Sequence, residues 1–174
     1  MEEITVKNFG DYTVKGVKTF MGTDAGGYNA TLYRNGKKVA FVIDEGRGGE
    51  AHIQWIPEVR ESESLLLKLH VDSLPLIPFE GHPDKPLKID ESWFVSDLVA
   101  KWEFERDVAR VEKKVRKDCQ TKTLFRLTSN KAGEWYVINS PCTEERKARL
   151  REKYGSTLSE IVNERFTNVS AVTT

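Results

Sequence analysis

The stretch YNATLYRNGKKVAFVI, residues 28–43, decides the fold. Two alternating runs flank Asn35-Gly36. Asn-Gly between strand-like runs is the strongest short-range hairpin signal, because a type I′ turn needs positive φ at both central positions. On the first run, Tyr28, Ala30 and Leu32 share a face. On the return run, Lys37 to Ile43, strict alternation places Val39, Phe41 and Ile43 together. Working outward, Tyr12 to Met21 reads as a preceding strand that ends in the glycine-rich turn Gly22 to Gly27. Glu50 to Ile56 reads as a following strand, with Ala51, Ile53 and Trp55 on one face, after a second glycine-rich turn, Asp44 to Gly49. Residues 1–56 thus predict an antiparallel meander of at least four strands.

The middle of the chain is helical. Pro57 suits a first helical position. From Glu58 to Leu74, the residues Leu66, Leu67, Leu69, Val71 and Leu74 are expected to face a core, and Pro75 and Pro78 stop the helix. Residues 75–89 hold four prolines and form an irregular connection, a possible sub-boundary in a chain otherwise read as one domain, 1–174. Asp90 then caps a long helix with Phe94, Leu98, Trp102, Phe104, Val108, Val111 and Val115 at helical spacing, ending near Asp118. A second hairpin follows, Thr121 to Thr128 and Glu134 to Asn139, around Ser129 to Gly133. The last helix runs from Thr143, its cap, to Tyr154, with Gly155 behind it. Thr157 to Asn163 reads as a closing strand, and the polar tail 167–174 is expected to fray. The fold class is therefore α+β: an N-terminal antiparallel meander, central helices, and a C-terminal β-hairpin plus helix.

Composition excludes several classes. The 174 residues carry 27 basic and 27 acidic side chains, so the chain is neither histone-like nor an acidic nucleic-acid mimic. Four Trp, five Tyr and eight Phe make it too aromatic for a disordered protein. The start, MEEITVKNFGDY, lacks the basic and apolar regions of a secretory signal, and two cysteines, Cys119 and Cys142, fit a reducing compartment, so a cytoplasmic location is expected. Charge is nevertheless segregated. Residues 61–100 hold eight acidic against three basic side chains, and residues 101–174 hold sixteen basic against eleven acidic.

Three constellations are candidates for function. In a meander, the two glycine-rich turns fall at the same end of the sheet, which brings Asp24, Tyr28, Asn29, Asp44, Glu45 and Arg47 together beside backbone with no Cβ cover. This is the first candidate binding edge. The basic segment holding Arg110, Lys113, Lys114, Arg116, Lys117 and Lys122 is a second candidate, for phosphates of nucleic acid, and could form a stripe with the helix that carries Arg146, Lys147, Arg149, Arg151 and Lys153. Trp93 and Phe94 at a helix start are a third, as an interface anchor, although the aromatic residues as a group read as core. Catalytic signatures are missing. The three histidines show no His-Glu-x-x-His spacing, no Cys-x-x-Cys pair occurs, and no Gly-x-Ser-x-Gly elbow is present. Neither a metal nor a cofactor is expected from these patterns.

The run from Met21 to Glu50, together with CQTKTLFRL at 119–127 and the segments Lys153-Tyr154-Gly155 and Asn163-Glu164, resembles small uncharacterised proteins of bacteriophages and other mobile elements. That resemblance implies a setting in a bacterial host. It implies a binding protein that blocks a defence component such as a CRISPR system, by covering a host protein or sequestering a nucleotide signal. A nucleic-acid-binding accessory protein and a small nucleotide hydrolase are the alternatives.

Overall fold

Type I′ geometry is what Asn35 and Gly36 deliver: their φ angles are 51° and 73°. The strands they join are β2 (Gly26–Arg34) and β3 (Lys37–Asp44). Strand β1 (Tyr12–Met21) and strand β4 (His52–Trp55) complete an antiparallel sheet in the order β1-β2-β3-β4. The computed structural model describes residues 5–78 and 85–167. The expected fraying of 168–174, and residues 79–84 of the Pro-rich connection, lie outside them.

Two compact units divide the chain, Met1–Arg106 and Asp107–Thr174. In the first, helix α1 (Arg60–Asp72) follows a 3₁₀ turn opened by Pro57. Helix α2 (Glu91–Cys119) begins where Asp90 Oδ1 accepts the Trp93 amide at 2.7 Å. One face of the sheet is buried. Val14, Leu32 and Val42 pack there with Leu67 and Val71 of α1 and Phe94, Val95 and Leu98 of α2. Each such side chain contributes about 1.5–3 kcal/mol on full burial. Polar ties fix the helices to the strands. The Arg34 guanidinium donates to both oxygens of Glu63, at 2.6 and 2.7 Å, so β2 holds α1 by a two-pronged ion pair. The same hydrogen bonds hold the Glu63 carboxyl below its ordinary range. Asp97 Oδ2 accepts the amides of Thr5 and Val6, at 2.8 and 2.6 Å, and ties the segment before β1 to α2.

The second unit is built on a three-strand sheet in the order β6-β5-β7. Its strands are β5 (Thr123–Leu127), β6 (Tyr136–Ile138) and β7 (Leu158–Ile161). Helix α3 (Glu144–Tyr154) is capped by Thr143, whose hydroxyl accepts the Arg146 amide at 3.2 Å, and a short helix α4 (Glu164–Thr167) follows β7. Asn163 is the bracket of this unit. Its Oδ1 accepts the Leu124 amide at 2.8 Å, and its Nδ2 donates to the carbonyls of Cys119 and Lys122 at 3.0 and 2.8 Å.

Three expectations need correction. Leu66 and Leu69 are exposed, with Leu65 beside them; among the leucines of α1 only Leu67 is buried. A helix laid on a sheet buries a narrow stripe, and Leu67 and Val71, one turn apart, already fill it. Phe104, Val108 and Val111 are likewise exposed along α2, although Phe94, Leu98 and Val115 are buried. Third, β3 does not alternate through Val39, Phe41 and Ile43. The register slips between Leu32 and Tyr33, so Val39 and Ala40 are both buried and Phe41 turns to the opposite face. An extra residue on one strand inverts the side-chain alternation beyond it.

Candidate functional site

The glycine-rich turns do meet. The amides of Asp24 and Ala25 both donate to the Gly46 carbonyl, at 3.1 and 2.9 Å. A Cβ at Gly22 would lie 2.5 Å from the Glu45 and Gly46 carbonyl oxygens, and one at Gly46 would lie 2.5 Å from that of Ala25. Gly22, Gly27 and Gly46 therefore serve the approach of one turn to the other, while Gly26, Gly48 and Gly49 stay open. Asp44 Oδ1 accepts the Gly46 amide at 2.8 Å and is spent on the turn. Arg47 pairs with Glu45 at 3.3 Å, both largely exposed. Tyr28 points the other way. It is buried, its hydroxyl lies 3.0 Å from Ser96 Oγ of α2, and burial pushes its pKa up to about 12. Asp24, Asn29, Glu45 and Arg47 are exposed, and Asp44 is half-buried.

In the basic segment, two of the six cations are ion-paired and a third lies over a ring. Arg110 lies 3.6 Å from Asp107, and Lys122 lies 2.8 Å from Asp118, whose carboxyl it holds below the usual range. Arg116 lies over the Phe166 ring at 5.2 Å. Lys113, Lys114 and Lys117 are exposed, with no ion-pair partner among the described residues. On α3, by contrast, Lys147 pairs with Glu144, Arg149 with Glu145 and Arg151 with Glu164. A continuous basic stripe is not what these side chains make. Trp93 and Phe94 pack into the core of the first unit. Cys119 and Cys142 are free, and burial raises both thiols above the ordinary value, so neither is poised as a thiolate. No group of three or more His, Cys, Asp or Glu among the described residues is arranged to hold a metal. No helix among them is long and apolar enough to cross a membrane. A groove of about 500 Å³ is lined by Val6, Leu74, Leu76 and Ile77, and it offers little chemistry beyond apolar contact.

The open face of the four-strand sheet is different, and the sequence reading missed it. Strand register defines its rows. Tyr33 stands between Thr13 and Lys38. Thr31 stands between Lys15 and Phe41, and Gln54 follows Phe41. Asn29 stands between Lys18 and Ile43, and His52 follows. Phe20 lies across from Gly27, and its ring comes within 2.6 Å of where a Cβ at Gly27 would sit, so that glycine lets the ring lie on the strand. Phe20 and Phe41 are 42% and 47% exposed, unusual values for phenylalanine on a sheet. Lys38 Nζ sits 3.6 Å from the Phe41 ring centroid, and Lys15 Nζ 4.8 Å from that of Tyr33. The four strands contain one carboxylate, Asp44, and its partner in the register is Tyr28, on the buried side. The open face thus combines three aromatic rings, three lysines and a histidine, with no acidic side chain in the strands to offset them.

No protein-family model matches this chain, and neither a curated protein nor a solved structure matches it.

Proposed function

We propose that the protein binds nucleic acid, and that the open face of the four-strand sheet is the binding surface. One observation carries this: charge is sorted onto that face. The chain as a whole is neutral, yet Lys15, Lys18 and Lys38 share a face to which the four strands contribute no carboxylate. A polyanion is the ligand class that rewards such sorting, because each neutralised phosphate releases condensed counterions. The basic segment, Arg110 to Lys122, is supported less well, because Glu112 and Asp118 lie within it and Arg110 and Lys122 are ion-paired. The turn corner, with Asp24 and Glu45 outward, has the wrong sign for phosphate.

In the setting that the resemblance to bacteriophage and mobile-element proteins implies, such a face would sequester the nucleic acid on which a bacterial defence component acts. Inhibition would then follow from occupancy, without turnover.

Salt tests this reading. With three lysines on phosphates, the affinity for a labelled single-stranded oligonucleotide is expected to fall about 20-fold between about 50 and 200 mM salt, a log–log slope near −2. Fluorescence anisotropy across that range measures it. Affinity that does not respond to salt, or no binding to single-stranded or duplex probes, would contradict the proposal.

A further inference from the structure

We infer that the ligand of the open face is single-stranded, with its bases stacked on Tyr33, Phe41 and Phe20; this rests on the nucleic-acid reading above. Lysines alone would serve a duplex equally well. The exposed rings would not, because the bases of a duplex are stacked on one another and present only edges and phosphates. A single strand can turn its base planes onto aromatic side chains, and every base has a π-face to offer.

The placement fits that use. Phe41 stands opposite Thr31, and Tyr33 is two residues further along the same strand, so the two rings are diagonal neighbours on adjacent strands. Such positions lie about 7–8 Å apart, within reach of successive bases of an extended strand. They occupy the two central strands, β2 and β3, and Phe20, across from Gly27, offers a separate ring near the end of β1, four positions along β2 from Thr31. The lysines flank the rings rather than replace them: Lys15 and Lys18 come from β1, and Lys38 comes from the hairpin end of β3.

The cation–π contacts make a further point. In the free protein, the Lys38 and Lys15 ammonium groups cover the faces of Phe41 and Tyr33. These contacts are weak at an exposed site. A base arriving on the ring displaces the ammonium, which swings on its flexible stem to the phosphate that came with the base. Ring and cation then both find partners on the same nucleotide. A flat apolar face built for a protein partner would not require a lysine over each central ring.

The test uses the full chain and three probes: oligothymidylate and oligouridylate of about 12 nucleotides, and a duplex of the same length. Single strands are expected to bind at least about tenfold tighter than the duplex. Phe41→Ala is expected to weaken the single-strand complex about 5- to 150-fold. Phe41→Trp is expected to retain affinity, because a larger ring still offers a stacking face, and its added indole emission is expected to be quenched on binding. Thermal unfolding of each variant confirms that the sheet is intact. Equal affinity for duplex and single strand, with Phe41→Ala neutral, would overturn this inference and leave the nucleic-acid reading standing. No binding of any probe would overturn both.

Discussion

Replacing Lys15, Lys18 and Lys38 together with Glu is expected to weaken nucleic-acid binding by more than about 100-fold, or about 3 kcal/mol. The effect is large because the exchange removes three phosphate contacts and puts three repulsive charges in their place. All three side chains lie on the open face, away from the core formed with α1 and α2, so the fold is left largely alone. What is lost internally is the contact of Lys15 with Tyr33 and of Lys38 with Phe41, worth about 0.5–1 kcal/mol each at exposed positions. The matching reversal of Lys113, Lys114 and Lys117 on α2 is the control. If the sheet face is the site, that variant keeps its affinity apart from a small loss of long-range attraction. Anisotropy titrations of the two triple variants at one salt concentration measure the contrast. The opposite ranking would move the site to α2.

The second large effect concerns stability. Asn163→Ala is expected to destabilise the Asp107–Thr174 unit by about 3 kcal/mol or more, because it breaks three hydrogen bonds and strands the buried Leu124 amide. That amide belongs to the central strand of a small sheet, and Leu124 is fully buried with Val115 and Val162 around it. A small unit has little core to offset such a loss. Asn163→Asp keeps the acceptor for Leu124 but turns a buried carboxylate oxygen onto the Cys119 and Lys122 carbonyls, so it is expected to destabilise at least as much as Asn163→Ala. Denaturant unfolding and hydrogen exchange at the Leu124 amide measure this. Unchanged exchange at Leu124 in Asn163→Ala would show that the bracket does not hold the unit together.

Much of the fold is legible in the sequence for identifiable reasons. Asn35-Gly36 announces its turn because few residue pairs accept two successive positive φ angles. The caps Asp90 and Thr143 announce their helices because their side chains satisfy amides that the first turn leaves open. The proximity of the glycine-rich turns follows from meander topology alone. The purpose of their glycines does not, since Gly22 and Gly46 look the same in sequence whether they admit a ligand or the backbone of another turn.

The open face is hidden for two reasons. Charge summed along the chain balances over residues 1–60, because acidic side chains in turns and termini cancel basic ones in strands. Only sorting by strand and face reveals the excess. Phe41 also reads as core until the slip between Leu32 and Tyr33 is known, and that slip is a property of the pairing, which local alternation cannot show. The lysine run itself, Lys15, Lys18, Lys37 and Lys38 within predicted strands, was the signal available. In the second unit, the basic helices mislead for the converse reason. Glu144, Glu145 and Glu164 are close enough in the fold to take up Lys147, Arg149 and Arg151.

Photo-crosslinking identifies the side chains that a bound strand touches. Oligothymidylate bound to the full-length protein is irradiated, the complex is digested, and the modified peptides are mapped by mass spectrometry. Crosslinks are expected on Tyr33 and Phe41, with Phe20 modified less. Crosslinks confined to residues 110–122, or to the turns at Asp24 and Arg47, would contradict the assignment of the open sheet face as the binding surface.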